Sequence, residues 1–335
     1  MFKRVLRLLS VSVLICVVGV QNTYAEPDPD FHIFLCIGQS NMVGQGMIEA
    51  QDKVVPERFL MMSPVGCDNH PKQQWSVAVP PLCRCDTKLG PVDYFGRTLL
   101  TYLPDSARVG VIVVGVDGTA IDLFHPKKYK AYIDKVNSTI SLNYQVAQIN
   151  AYYHSNPLEA LLTCARLAQQ DGVIKGVILH QGETDAQDGN LYWRKDVKEV
   201  YENILNELGL SADSVPLLAG EAVRGDSKRK GQCAGANRSI GKLPQVIPTA
   251  HIVSSEGCPC QSDYLHFNSA GYRMLGQRYA EVYLTECLGV DITKVTPHSA
   301  GKLSDGYIYS TSGERLETLQ HGAINIINGK KYWIE

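Results

Sequence analysis

The sequence predicts a three-layer α/β/α sandwich on a five-stranded, mostly parallel sheet, followed by a short C-terminal β tail. Three observations predict it. Short apolar runs recur without polar alternation, as in strands buried on both faces. Between them, apolar residues repeat at helical spacing. Four of the five runs end in glycines or chemistry-bearing side chains, as strand exits of an open parallel sheet do.

The runs are residues 32–37, 109–114, 173–179, 215–218 and 251–253. In 193–210, Val197, Val200, Tyr201, Ile204, Leu205 and Leu208 fall at i, +3, +4, +7, +8 and +11, one face of a helix. Pro157 opens a second helix over 158–170, at the first turn, where its missing N–H costs little. A third spans 268–284, with Met274, Leu275 and Val282 inward. Residues 61–91 hold five prolines and three cysteines and read as a surface loop. Residues 296–305 are polar and small, a linker. In the tail, Tyr307-Ile308-Tyr309 and residues 324–327 alternate like strands, and Asn328-Gly329 marks a tight turn before Lys330. The predicted organisation is a leader over 1–25, one α/β domain over 26–295, and a linker with a β tail over 296–335.

The leader has the form of a signal peptide. Lys3, Arg4 and Arg7 precede an apolar run over 8–20, and Ala25 offers a small residue at a cleavage point. The run is short of the roughly 20 residues that span a bilayer, so no membrane span is expected. A secreted, periplasmic or cell-surface location follows. Losing three positive charges takes the formal charge from −2 to −5. With no long basic run, nucleic acid is not an expected partner. Nine of the ten cysteines follow the leader, an odd number, in a compartment that permits disulfides. Their pairing stays open. Cys83-x-Cys85 and Cys258-x-Cys260 have one intervening residue, fewer than zinc ribbons use, so no metal is expected.

The strand exits carry the chemistry. They read Gly38-Gln39-Ser40-Asn41-Met42, Gly115-Val116-Asp117-Gly118-Thr119, His180-Gln181-Gly182-Glu183, Gly220-Glu221, and Asp263-Tyr264-Leu265-His266-Phe267 after a loop. A serine opening a helix after a glycine-rich exit sits where free N–H groups can stabilise an oxyanion. It could equally be an N-cap. Asp263, three residues before His266, can reach the imidazole and fix its tautomer, leaving the other nitrogen for a serine.

Together these blocks resemble the SGNH hydrolases, and within them carbohydrate esterase family six and the sialate O-acetylesterase-like domains. The resemblance extends through residues 79–85, Asp93-Tyr94-Phe95-Gly96-Arg97 and Leu217-Leu218-Ala219-Gly220-Glu221, covering about residues 30–287. It implies Ser40 as nucleophile and His266 as base, with an oxyanion hole from the Ser40 and Gly118 backbone N–H groups and the Gln181 side chain. It implies removal of acetyl groups from a carbohydrate, acetylxylan first and sialate second, with no cofactor. Two acids resemble the partner of the histidine, Asp263 and Glu183; Asp263 is expected to be the direct one and Glu183 a helper. The chain departs from close relatives at Val43-Gly44-Gln45, at Asp117 and at Thr184-Asp185, all beside the pocket, which bears on the substrate. Two other readings are a non-catalytic carbohydrate-binding protein on an esterase fold and a glycosidase using Glu183 and Glu221. Residues 306–335 resemble the C-terminal sorting tails of proteins secreted by Bacteroidetes, which implies secretion machinery as a partner.

Overall fold

The computed structural model describes residues 26–292 and four short strands between residues 308 and 334. The predicted leader and linker lie outside the described residues. The core strands are β1 (Asp28–Gly38), β2 (Phe59–Met62), β3 (Trp75–Val77), β4 (Arg108–Gly115), β5 (Gly172–His180), β6 (Leu217–Gly220) and β7 (Ala250–Val253). The helices are α1 (Ser40–Val43), α2 (Pro91–Leu100), α3 (Tyr129–Asn137), α4 (Asn143–Tyr153), α5 (Pro157–Ala168), α6 (Glu183–Asp188), α7 (Trp193–Leu208), α8 (Asn237–Ile240) and α9 (Ser269–Val282).

The sheet has seven strands in the order β3-β2-β4-β1-β5-β6-β7, parallel except for β3. All five expected strands are in it, with β1 at its centre between β4 and β5. Two more strands, β2 and β3, correct the five-stranded expectation. They fall at the start of and within the segment read as a surface loop, where Met61 and Met62 are 1% and 2% exposed. Strands of four and three residues between prolines carry too little periodicity to register.

Alternation along β1 makes the layers. Phe31, Ile33, Leu35 and Ile37 pack into one apolar cluster with α5 and α7, whereas Phe34 and Cys36 pack into another with α2 and α9. Fully burying a side chain such as Phe34 contributes roughly 1.5–3 kcal/mol. Pro157 stands at the start of α5, where Asn156 Oδ1 accepts from Glu159 N at 3.1 Å as an N-cap. The helix α9 is capped in the same way by Asn268, at 2.9 Å from Gly271 N.

Cys67 and Cys85 form a disulfide across a separation of 18 residues, pinning the segment that holds β3. Cys83 is buried apart from it, 3.6 Å from Tyr153 Oη. The tail strands β8 (Ile308–Ser310), β9 (Arg315–Leu316), β10 (Ala323–Ile327) and β11 (Lys330–Ile334) form an antiparallel sheet in the order β11-β10-β8-β9. Ile327 pairs with Lys330, the register a two-residue turn requires. No helix among the described residues is long and apolar enough to cross a membrane.

Candidate active site

The exit of β1 is shaped by close approach. A Cβ on Gly38 would lie 2.1 Å from His180 O and 2.6 Å from Met42 Cβ, so only glycine lets β1 and β5 end side by side here. Gln39 N bonds His180 O at 3.2 Å, and the chain turns at once into α1 with Ser40 as its first residue. With four residues, α1 has little dipole of its own. What it offers is local: Met42 N and Val43 N donate to Gln39 O at 2.8 and 2.9 Å, which leaves the Ser40 and Asn41 N–H groups without an acceptor in the helix. Ser40 is 6% exposed.

After β7 the chain folds back as a short loop closed by pairing of Cys260 with Phe267 and by Gln261 N to His266 O at 2.8 Å. Inside it, Asp263 Oδ1 accepts from Leu265 N at 2.9 Å and His266 N at 3.0 Å. Its other oxygen, Oδ2, lies 2.7 Å from His266 Nδ1, and His266 Nε2 lies 2.9 Å from Ser40 Oγ. Partial burial alone would raise the Asp263 carboxyl; the donors at Leu265, His266 N and the imidazole outweigh it and hold it below its ordinary value. A carboxylate so held fixes the Nδ1–H tautomer. That leaves the Nε2 lone pair to accept the hydroxyl proton of Ser40.

Glu183 is elsewhere. At 2% exposure, its Oε1 accepts from Asn41 Nδ2 at 2.7 Å and lies 3.6 Å from His180 Nε2. The second donor bond of Asn41 goes to Leu265 O at 3.0 Å, and its Oδ1 accepts from Phe267 N at 3.3 Å and Tyr272 Oη at 2.7 Å. Asn41, next to Ser40, thus grips the backbone on both sides of His266. Sequence reasoning did not single out Asn41 or Tyr272. Asn41 lay in the quoted serine block, but nothing local shows that it reaches a segment 224 residues away.

The expected oxyanion donors are disposed unequally. Gly118 has φ 66°, in the left-handed region, and a Cβ there would lie 2.2 Å from Tyr144 Oη. Gln181 is 1% exposed and differs from expectation. Its amide donates to Thr119 O at 3.1 Å and to Asp185 Oδ2, while its Oε1 accepts from Trp193 Nε1 at 2.6 Å. Both amide hydrogens are taken, so Gln181 braces the β4 and β5 exits.

Of the positions read as departures, Gln45 and Asp117 are bound to each other and Asp185 to the Gln181 brace. Gln45 Nε2 donates to Asp117 Oδ1 at 3.0 Å, and Asp117 Oδ2 accepts from Arg84 at 3.1 Å and Gln148 at 2.9 Å. Asp185, besides holding Gln181, accepts from Ile121 N at 2.9 Å and Asn190 Nδ2 at 2.8 Å. Glu221 pairs with Arg224 at 2.7 Å and accepts from Ser255 N at 3.0 Å, whereas Glu183 is engaged by Asn41.

At the exits of a mostly parallel sheet, a serine, an imidazole and a carboxylate in hydrogen-bonded series form the arrangement that serine hydrolases use, and the family match makes the chain a carboxylic ester hydrolase. Residues 30–285 match the model of a family described as carbohydrate esterase, sialic acid-specific acetylesterase, and the chain belongs to that family. The fold is shared with solved structures. NanS superposes with a TM-score of 0.57 at 15% identity, covering 79% of this chain and all of NanS (100%). A protein from Arabidopsis thaliana gives 0.56 at 19% identity, covering 77% of this chain and 99% of that one. A carbohydrate acetylesterase from Xanthomonas citri gives 0.55 at 16% identity, covering 84% of this chain and 65% of its own. At these identities the likeness is one of fold.

Proposed function

We propose that the protein is a serine esterase that removes O-acetyl groups from carbohydrates, with Ser40 as nucleophile, His266 as base and acid, and Asp263 holding His266. The observation that carries this reading is the unbroken series from Asp263 through both nitrogens of His266 to the Ser40 hydroxyl, with spacings of 2.7 and 2.9 Å. Ser40 Oγ attacks the acetyl carbonyl while its proton passes to Nε2. The imidazolium gives that proton to the sugar oxygen as the C–O bond breaks, freeing the sugar hydroxyl and leaving an acetyl-enzyme. Water deprotonated by His266 then releases acetate. The Ser40 and Gly118 backbone N–H groups are the oxyanion donors, each contributing roughly 3 kcal/mol. Gln181 joins them only by giving up a bond to Thr119 or Asp185.

Within this chemistry we place acetylated sialic acid ahead of acetylated xylan, because the matching family model is the sialic acid-specific one. Residues 1–25 are a leader removed on secretion, residues 26–295 the esterase domain, and the tail a detachable segment read by secretion machinery. The test is acetate release by wild type and Ser40→Ala from acetylated sialic acid, acetylated xylan and an aryl acetate, with a serine-directed phosphonate to mark the reactive residue. Labelling of another serine with Ser40 untouched overturns the assignment. Full function in the Ser40→Ala protein would favour a carbohydrate-binding role instead.

A further inference from the structure

The turn that follows β4 is held from several sides. Gly115 O accepts from Arg84 Nη1 at 2.6 Å and from Tyr153 Oη at 3.2 Å. Asp117 N donates to Gln148 Oε1 at 3.1 Å, and Gly118 O accepts from Gln145 Nε2 at 2.7 Å. Thr119 Oγ1 donates back to Val116 O at 2.9 Å. The Asp117 side chain closes the arrangement: Oδ1 accepts from Gln45 Nε2 at 3.0 Å, and Oδ2 from Gln148 Nε2 at 2.9 Å and Arg84 Nη2 at 3.1 Å. Between the pinned Asp117 N–H and the pinned Gly118 carbonyl, the Gly118 N–H itself makes no hydrogen bond among the described residues.

Two of the holders, Gln145 and Gln148, lie three residues apart on α4 and so share a face of that helix. Arg84 comes from elsewhere, the residue next to the Cys67–Cys85 disulfide. Its side chain is 1% exposed, and its guanidinium lies 5.2 Å from the centre of the Tyr152 ring. A buried guanidinium is tolerated only when its donors are engaged. Here Nε serves Asp86 at 3.2 Å, Nη1 serves Gly115 O, and Nη2 serves Asp117. The same guanidinium therefore ties the end of β4 to the residue before Gly118. It also answers an electrostatic problem. A carboxylate one residue from an oxyanion donor opposes the negative charge that builds on an attacked carbonyl oxygen, unless a cation cancels it.

We propose that Arg84 and Asp117 are positioning residues for the esterase reaction. As an ion pair they fix the Asp117–Gly118 peptide with its N–H free for the oxyanion, and Arg84 cancels the charge that Asp117 brings beside it. The proposal rests on the esterase reading, because the Gly118 N–H matters only if an oxyanion forms.

The test is kcat and KM for an aryl acetate in full-length wild type, Arg84→Met, Asp117→Asn and the double variant, with urea melts to keep every assay where the protein is folded. Arg84→Met should lower kcat by about 10²-fold, the order that one lost oxyanion donor costs. KM should stay within about twofold, since acylation and deacylation use the same donors and fall together. Asp117→Asn keeps an acceptor in place and loses the charge, so it should cost about tenfold. The double variant should run about tenfold faster than Arg84→Met, because no unpaired carboxylate is left to oppose the oxyanion. A purely structural pair would show its loss in the melts and leave the kcat of the folded enzyme alone. An Arg84→Met enzyme with wild-type kcat, or a double variant no faster than Arg84→Met, overturns the proposal. Should Arg84→Met not fold, Gln148→Leu, at a half-buried position, takes its place. It removes both bonds to Asp117 and should lower kcat about tenfold at unchanged KM; wild-type kcat there overturns the proposal equally. A wild type that releases no acetate and leaves Ser40 unlabelled by the phosphonate is a different failure: the esterase reading falls, and the positioning role with it.

Discussion

Replacing each of the two candidate carboxylates by its amide separates the acid that works on His266 from the one that works on the scaffold. In Asp263→Asn, the remaining oxygen can still accept from Leu265 N and His266 N, so the loop keeps its turn. What changes is the 2.7 Å contact with Nδ1, where an NH₂ group now meets the ring. The imidazole must then accept at Nδ1 and carry its proton on Nε2, pointing it at Ser40 instead of taking one. By analogy with triad aspartates the cost is about 10⁴ in rate, or roughly 5.5 kcal/mol of barrier. In Glu183→Gln, Oε1 still accepts from Asn41 and a buried charge disappears from a position with no contact to His266. The loss expected there is within about tenfold. The assay is kcat/KM for an aryl acetate at pH 7 to 8, with urea melts to show that both variants are folded. A collapse of Glu183→Gln beside a near-normal Asp263→Asn would refute the reasoning and make Glu183 the partner of His266.

Further outcomes follow from the same geometry. Asn41→Ala removes four hydrogen bonds, each contributing roughly 0.5–1.5 kcal/mol, and strands the Glu183 carboxylate; it should lower stability by several kcal/mol and kcat/KM by about 10²-fold. An Asn41→Ala enzyme as active as wild type would show that the grip on 265–267 does not position His266. Burial raises Asp93 from 3.8 to about 7, so the folded state keeps a proton that the unfolded state has lost, and stability falls as pH climbs through that window. Burial lowers His180 below 6.5, with nearby Glu183 opposing, so this residue costs stability as pH falls below 6.5. The two trends oppose each other in wild type; Asp93→Asn should remove the falling one, so that the variant's stability relative to wild type rises with pH by at most about 1.4 kcal/mol per unit in urea melts between pH 5 and 6.5. Cutting the chain after Lys302 should leave acetate release intact, and a large loss would make the tail part of the core.

Much of the core was readable because its signals are local. The runs in β1, β4 and β5 are apolar on both faces, and the face of α7 repeats cleanly over about three turns from Val197 to Leu208. The exits showed themselves through Gly38, Gly118 and the Asp263–His266 spacing, which lies within a single turn of chain. Other features depend on contacts that no short window contains. The commitment of Gln181 to Thr119 and Asp185 is set by the approach of β4 to α6. Asn41 reads as an ordinary member of its block until the loop beyond β7 closes over it. The Cys67–Cys85 pairing was one of many that nine cysteines allow. The helix α2 opened at Pro91, a proline sequence reasoning assigned to the end of a loop, although proline is favoured at a first helical position.

The central place of β1 has a consequence for how the molecule is made. Ser40 is synthesised early, on the strand around which the sheet grows outward in both directions, while His266 and Asp263 arrive 226 and 223 positions later on the far side of β7. A chain still emerging from the ribosome, or one truncated anywhere before β7, carries the hydroxyl without anything to deprotonate it. On the proposed assignment of Ser40 as nucleophile and His266 as base, hydrolytic power is therefore acquired in one step, at the completion of the core, and a fragment cut short before it is chemically silent toward esters.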